Sequence, residues 1–341
     1  MVTMKRMATQ QLASIFLFLF LLAAGEGAAS APSAIIFKTC ARASNFSATT
    51  NVGYDYCVGV LTADPAAVAA HSTRALAVVA TKLALDNVTS TVLVLDNLVY
   101  NIARCMGYYG GMNYTVTTAL EDIRAGHAEA AAGKFSRAAA ESGRCDSALS
   151  KGSAKKNPMR KENHDAASLS YTAYGITMEA LHAKLLAAPS ATITKACAGL
   201  SNFTTHADYD FCVGALATDP AAGAAKDARA LAVVAANLTA ANVSSTLLVL
   251  NDLLDSLSHC QSTYKDMSKT VAAAAYYIGT GRAGAASDLL KEAARQPDNC
   301  DILLFQGSAK KNPMMKENVD AIELSYLAYA IAMLAGSKNQ V

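Results

Sequence analysis

The chain has 341 residues, with 29 Lys and Arg against 27 Asp and Glu and a net charge of +2. So even a balance carries no electrostatic footprint of a nucleic-acid binder or an anionic-membrane binder. Apolar residues make up 52%, aromatics 7%, and Trp is absent, a composition of alanine-rich helices with thin side chains.

The N-terminus reads as a secretory signal peptide over residues 1–28. Lys5 and Arg6 precede the apolar run Leu12 to Ala24, and small residues from Gly25 to Ala31 place cleavage near Gly27 to Ala29. That run is 13 residues long, short of the roughly 20 that span a bilayer. Later apolar residues are spaced by polar ones, so no membrane association is expected after cleavage. Six sequons fit the secretory route: Asn45, Asn87, Asn113, Asn202, Asn237 and Asn242.

The remainder contains itself twice. Lys151 to Met159 (KGSAKKNPM) returns as Gln306 to Met314, 155 residues later, with only the first residue changed. Tyr54-Asp55-Tyr56-Cys57 returns as Tyr209-Asp210-Phe211-Cys212, and Arg74 to Ala80 returns unchanged at Arg229 to Ala235. A period of this length is a small domain rather than a solenoid unit. Repeat 1 is assigned to 34–186, a linker to 187–191 and repeat 2 to 192–341.

Each repeat carries four cysteines: Cys40, Cys57, Cys105 and Cys145, then Cys197, Cys212, Cys260 and Cys300. An even count in a secreted chain favours disulfides. No Cys-x2-Cys pair or nearby histidine supports a zinc site. Four cysteines allow three connectivities. The turn signals Gly126-His127 and Gly279-Thr280-Gly281 lie midway between the third and fourth cysteines, so a helix running out and another running back returns one to the other. The expected bridges are Cys40–Cys57, Cys105–Cys145, Cys197–Cys212 and Cys260–Cys300.

In chain order, each repeat opens with a short cysteine-stapled hairpin. Asp64-Pro65 and Asp219-Pro220 are helix starts, since Asp caps free N–H groups and Pro suits the first helical position. Helical spacing follows through Leu76, Val79 and Leu83, then Val92, Leu95 and Ile102, with a boundary expected between 97 and 111. Val116, Leu120 and Ile123 form a third stripe. A last helix, opened by Asn157-Pro158, runs through Leu169, Ala173 and Ile176. Repeat 2 repeats these stripes. The fold class is all-α: two tandem disulfide-stapled four-helix up-down bundles, each preceded by a short helical hairpin.

No catalytic constellation emerges, and no metal or cofactor is expected. At the repeat offset His71 meets Lys226, His127 meets Arg282, His164 meets Val319 and His259 meets Arg104. A duplicated histidine site would leave a pair, so these read as surface or capping histidines, like His182 and His206. Gly152-Ser153-Ala154-Lys155-Lys156 lacks the spacing of a phosphate loop and follows no strand, so it reads as a solvated basic loop. Asn163 and Asn318 are expected to bond inward to a neighbouring helix. Tyr54-Asp55-Tyr56 and Tyr209-Asp210-Phe211 are expected to pack inside the small hairpins.

Together the Tyr-x-x-Cys elements, the paired cysteines, Asp-Pro and Lys-Glu-Asn-x-Asp resemble the plant invertase/pectin methylesterase inhibitor family in both repeats. They are closest to the branch of pollen-allergen-like invertase inhibitors. The resemblance implies a secreted, non-catalytic four-helix inhibitor of the cell wall. It covers the cleft of pectin methylesterase or inserts a loop into acid invertase. The invertase-directed type carries Pro-Lys-Phe after the turn, where this chain has Ala128-Glu129-Ala130 and Ala283-Gly284-Ala285; Gly133-Lys134-Phe135 is displaced. Pectin methylesterase is therefore the expected partner, acid invertase the alternative, and a non-inhibitory helical binding module the third reading. Contacts are expected on the second and third helices of each bundle, and oligomeric state is open.

Overall fold

The computed structural model describes residues 34–45, 52–186, 193–206, 208–307 and 309–337. The signal peptide at 1–28 and the linker at 187–191 lie outside the described residues. Within them the chain is helical, without a strand. Repeat 1 supplies α1 (Ala34–Ser44), α2 (Tyr54–Thr62), α3 (Pro65–Val68), α4 (Thr73–Ala125), α5 (Ala128–Lys151) and α6 (Arg160–Leu186). Repeat 2 supplies α7 (Ile193–Gly199), a 3₁₀ turn (Leu200–Asn202), α8 (Tyr209–Ala217), α9 (Pro220–Gly223) and α10 (Ala228–Gly279). It continues with α11 (Ala283–Ala293), α12 (Gln296–Gln306) and α13 (Met315–Gly336).

The boundary expected between 97 and 111 is absent: α4 runs unbroken for 53 residues and α10 for 52. No proline interrupts either helix. Gly107, Gly110 and Gly111 would meet nothing within 4 Å if given a Cβ, so they need no special conformation and simply continue the helix. Asp64 and Asp219 do cap, accepting from Ala66 N at 2.8 Å and Ala221 N at 2.8 Å. What they open is a one-turn helix, and the long helices start eight or nine residues further on.

Fusing two bundle helices end to end carries the first half of each away from its own returning helix. The chain divides into two compact units that each draw on both repeats. One comprises the described residues of Met1–Ala84, Ala273–Lys291 and Glu323–Val341. In it the repeat 1 hairpin meets the last helix of repeat 2 through buried Ala43, Ala330 and Leu334. Arg74 Nε and Nη2 donate to the Ile278 and Gly279 carbonyls at 3.2 and 2.7 Å, satisfying the open C-terminal end of α10.

The other unit comprises Leu85–Ala272 and Glu292–Ile322. Here the repeat 2 hairpin lies on α6. His164 meets Phe211 edge-on with centroids 6.1 Å apart, Tyr171 stacks on His206 at 4.9 Å, and His182 tilts against Phe203 at 5.1 Å. Arg229 Nε donates to the Ile123 carbonyl at 3.0 Å and its Nη2 to the Arg124 carbonyl, capping α4. Thr239 Oγ1 bonds the Leu169 carbonyl at 3.3 Å. The RALAVVA element thus has a job in both copies. Its arginine caps the long helix of the other repeat, and Leu76, Ala77, Leu231 and Ala232 are fully buried behind it.

The disulfides are Cys40–Cys57, Cys105–Cys145, Cys197–Cys212 and Cys260–Cys300, with Cα–Cα distances of 5.6, 4.8, 5.8 and 4.9 Å. Each closed loop stabilises the fold by about 2–4 kcal/mol. Three helices, Thr73–Ala125, Ala228–Gly279 and Met315–Gly336, are long and apolar enough by length and composition to cross a membrane. The sequence reading did not anticipate that. In α4 their apolar character has a packing explanation, since Leu76, Ala80, Ala84, Val88, Leu95, Leu98, Ile102, Tyr109 and Met112 are buried at helical spacing.

Candidate functional site

The repeated Gly-Ser-Ala-Lys-Lys-Asn-Pro segment is where the long helix, the returning helix and the last helix of each repeat meet. Its residues can be read one by one. A Cβ on Gly152 would stand 2.7 Å from Asn97 Oδ1 and from Asn101 Nδ2; one on Gly307 would stand 2.7 Å from Asp252 Oδ2. A larger residue at either position would push these side-chain tips aside and disturb the bonds they make to the next turn. The next turn is pinned by Ala154 N on Asn97 Oδ1 at 3.1 Å and by Ala309 N on Asp252 Oδ2 at 2.8 Å. Lys155 and Lys310 take left-handed backbone, with φ of 50° and 46°. Asn157 and Asn312 accept from Met159 N and Met314 N at 3.1 and 2.9 Å, and donate to Asp146 and Asp301 at 2.6 Å.

The second lysine of each pair is not a solvated charge. Lys156 Nζ donates to the Pro313 carbonyl at 2.7 Å and to Glu317 Oε2 at 3.0 Å. Reciprocally, Lys311 Nζ lies 3.1 Å from Glu162 Oε1. Both pairs are mostly shielded, with lysine side chains 24% and 22% exposed, so they attract more strongly than surface ion pairs. The solvated reading holds for Ser153, Lys155 and Lys310, which are exposed, and not for Lys156 and Lys311, whose neighbour is the other repeat's copy of the segment.

Beneath the segment, Tyr109 donates to Asn163 Oδ1 at 3.0 Å and Tyr264 to Asn318 Oδ1 at 2.7 Å, all four residues being buried. Asn163 and Asn318 therefore bond inward, each to a tyrosine of the long helix. Burial, and then the carboxylates of Glu162, Asp165 and Asp146, push the Tyr109 hydroxyl well above the usual phenol range. Tyr264 is raised likewise, by burial and then by Asp301, Glu317 and Asp320.

Other expected positions are placed differently. Tyr54 and Tyr209 are 41% and 44% exposed, so they do not form the hairpin cores; Cys57, Leu61, Cys212 and Leu216 do. Phe135 is fully buried, and Lys134 is 2.8 Å from Asp122 Oδ2, which makes Gly133-Lys134-Phe135 part of the packing of α5. Ala128-Glu129-Ala130 is the first turn of α5, reached directly from Gly126 at φ 86°. Among the sequons, Asn45, Asn202 and Asn237 are exposed and Asn113 is half-buried. Asn87 and Asn242 each have a buried Oδ1 without a hydrogen-bond partner. The arginine caps and the Lys–Glu exchange were missed from sequence; their only trace was that Arg74, Lys156 and Glu162 recur at the repeat offset.

A duplicated helical scaffold with this cysteine pairing matches a known family. The profile of the family described as "Plant invertase/pectin methylesterase inhibitor" matches residues 34–176 and 191–331. The chain belongs to this family. Two relatives, from Platanus orientalis and Platanus acerifolia, both carry the name "Putative invertase inhibitor" and are each 26% identical over 150 residues. The aligned part is 41% of this chain and 88% and 83% of the relatives, so most of each relative corresponds to less than half of this chain. No solved structure matches it significantly.

Proposed function

We propose that the protein is a secreted, non-catalytic inhibitor of a plant cell-wall carbohydrate-active enzyme, and that it acts by covering the active-site cleft. One observation favours covering over insertion. Where the resemblance locates the inserting element of the invertase-directed type, the chain makes a tight turn into α5, and Arg229 clamps the helix end beside it. The equivalent turn at Gly281, φ 84°, is held by Arg74. That leaves rigid helix faces as the contact surface, with Tyr114 of α4 73% exposed and Leu248 of α10 72% exposed. Pre-ordered faces lower the entropy cost of association.

Pectin methylesterase is the target this reading favours. The relatives' names speak for a second one, an invertase, for which acid invertase is the candidate. A cleft-covering inhibitor raises the apparent KM without lowering kcat, and its effect reverses on dilution. Inhibition that more substrate cannot relieve would refute the mode, whichever enzyme is the target.

A further inference from the structure

Beside the Cys105–Cys145 bridge, α4 and α5 leave an open groove of 660 Å³. One wall is the row Tyr100, Arg104 and Tyr108, at i, i+4 and i+8 on α4, which spans about 12 Å at 1.5 Å per residue. The Arg104 guanidinium lies 5.6 Å from the Tyr100 ring centroid and 5.9 Å from that of Tyr108, and its Nη2 donates to Tyr108 Oη at 2.9 Å. Two aromatic rings therefore hold a planar donor fork in place. Tyr100 is 61% exposed and contributes nothing to the core. The facing wall presents Lys151 and Arg144, the latter also bonded to Glu141 at 3.0 Å, and Asn97 lies on the groove floor.

No Asp or Glu lines the groove, although the chain as a whole is nearly neutral. At the repeat offset, Tyr100, Arg104, Tyr108, Arg144 and Lys151 become Asp255, His259, Thr263, Asn299 and Gln306. Repeat 2 thus keeps the scaffold without this chemistry.

We infer that the groove binds an acidic oligosaccharide. The exposed Tyr100 ring offers a face to the apolar C–H face of a sugar ring, and a fixed guanidinium matches a carboxylate. Lys151 supplies further charge, and amide and hydroxyl groups suit sugar hydroxyls. The inference does not rest on the inhibitor reading, because its test contains no enzyme.

The test is calorimetric titration of the intact protein with oligogalacturonate, with the methyl-esterified oligomer and a neutral glucan oligomer as comparisons. The expected result is binding of oligogalacturonate that weakens as salt rises, with both neutral ligands at least about tenfold weaker. Tyr100→Ala and Arg104→Gln each lower affinity about tenfold, Tyr100→Trp retains it, and Tyr276→Ala, at an exposed tyrosine of α10 outside the groove, leaves it unchanged. Equal binding of the esterified oligomer, full affinity in Arg104→Gln, or no binding by the unaltered protein would each overturn the assignment. So would binding only of an acidic protein partner.

Discussion

Gly175 and Leu200 offer the sharpest probe of the exchange between repeats. A Cβ at Gly175 of α6 would stand 2.3 Å from Leu200 Cδ2, 3.5 Å from its Cγ and 3.6 Å from its Cβ. In the other unit the corresponding residues are Ala330, at the 155-residue offset, and Ala43, at the 157-residue offset that separates Cys40 from Cys197. A leucine against a glycine in one unit thus replaces two alanines in the other. Gly175→Ala gains about 1 kcal/mol of helix propensity and loses about 1–3 kcal/mol to overpacking, for a net loss of about 1 kcal/mol. Leu200→Ala empties a buried site and costs about 2–4 kcal/mol. The double variant recreates the two-alanine arrangement, with the new methyl entering the space that leucine vacates. It should recover at least about 1 kcal/mol relative to the sum of the single changes. Urea unfolding followed by far-ultraviolet circular dichroism measures all three. Additivity within about 0.5 kcal/mol would show that the two residues do not touch, and the repeat 2 hairpin would then not pack on α6.

The continuity of α4 predicts that Gly110→Ala stabilises the protein by about 1 kcal/mol, read as a rise in the urea midpoint; a fall would put a break back between 97 and 111. Tyr109→Phe removes the bond to Asn163 and should cost about 1–2 kcal/mol in the same assay. The raised ionisation of Tyr109 and Tyr264 also sets an alkaline limit. Below the usual tyrosine value of 10.0 both states hold the proton and the contribution is complete; above it only the unfolded chain ionises, so stability falls as pH climbs. A Tyr109→Phe/Tyr264→Phe variant should show a flatter decline. Glu317→Gln weakens the Lys156 pair and should cost about 1–2 kcal/mol, between the surface and fully buried cases, with the loss insensitive to salt; no change in midpoint would mark the pair as inert. Glycopeptide mass spectrometry should find glycan at Asn45, Asn202 and Asn237 and none at Asn87 or Asn242, whose amide oxygens are buried.

Local chemistry was readable where the cause is local. Asp64 and Asp219 as caps, the glycine turns at 126 and 281, and the apolar stripes follow from side-chain and backbone preferences within a few residues. The break expected between 97 and 111 does not form, although the stretch holds the weak helix formers Gly107, Gly110 and Gly111. Their counterparts Ser262, Lys265 and Asp266 carry no such signal, and a helix in open space accepts the glycines at modest cost. Identical copies also cannot say which partner they choose. RALAVVA is identical in the two copies, so the exchange leaves no mark in composition or periodicity. The Lys156–Glu317 and Lys311–Glu162 pairs were hidden for the same reason, since each lysine also has a glutamate six residues away in its own copy. The groove of repeat 1 did have a signal, the aromatic–basic–aromatic row at four-residue spacing. It shows only once that stretch is recognised as one unbroken helix.

Inhibition of a cell-wall enzyme is tested most directly by titrating the mature, disulfide-intact protein into pectin methylesterase and acid invertase, side by side at mildly acidic pH. Stoichiometric, reversible inhibition of pectin methylesterase is expected, with acid invertase unaffected. Inhibition of acid invertase alone would reassign the target, and full activity of both enzymes would refute the inhibitor role.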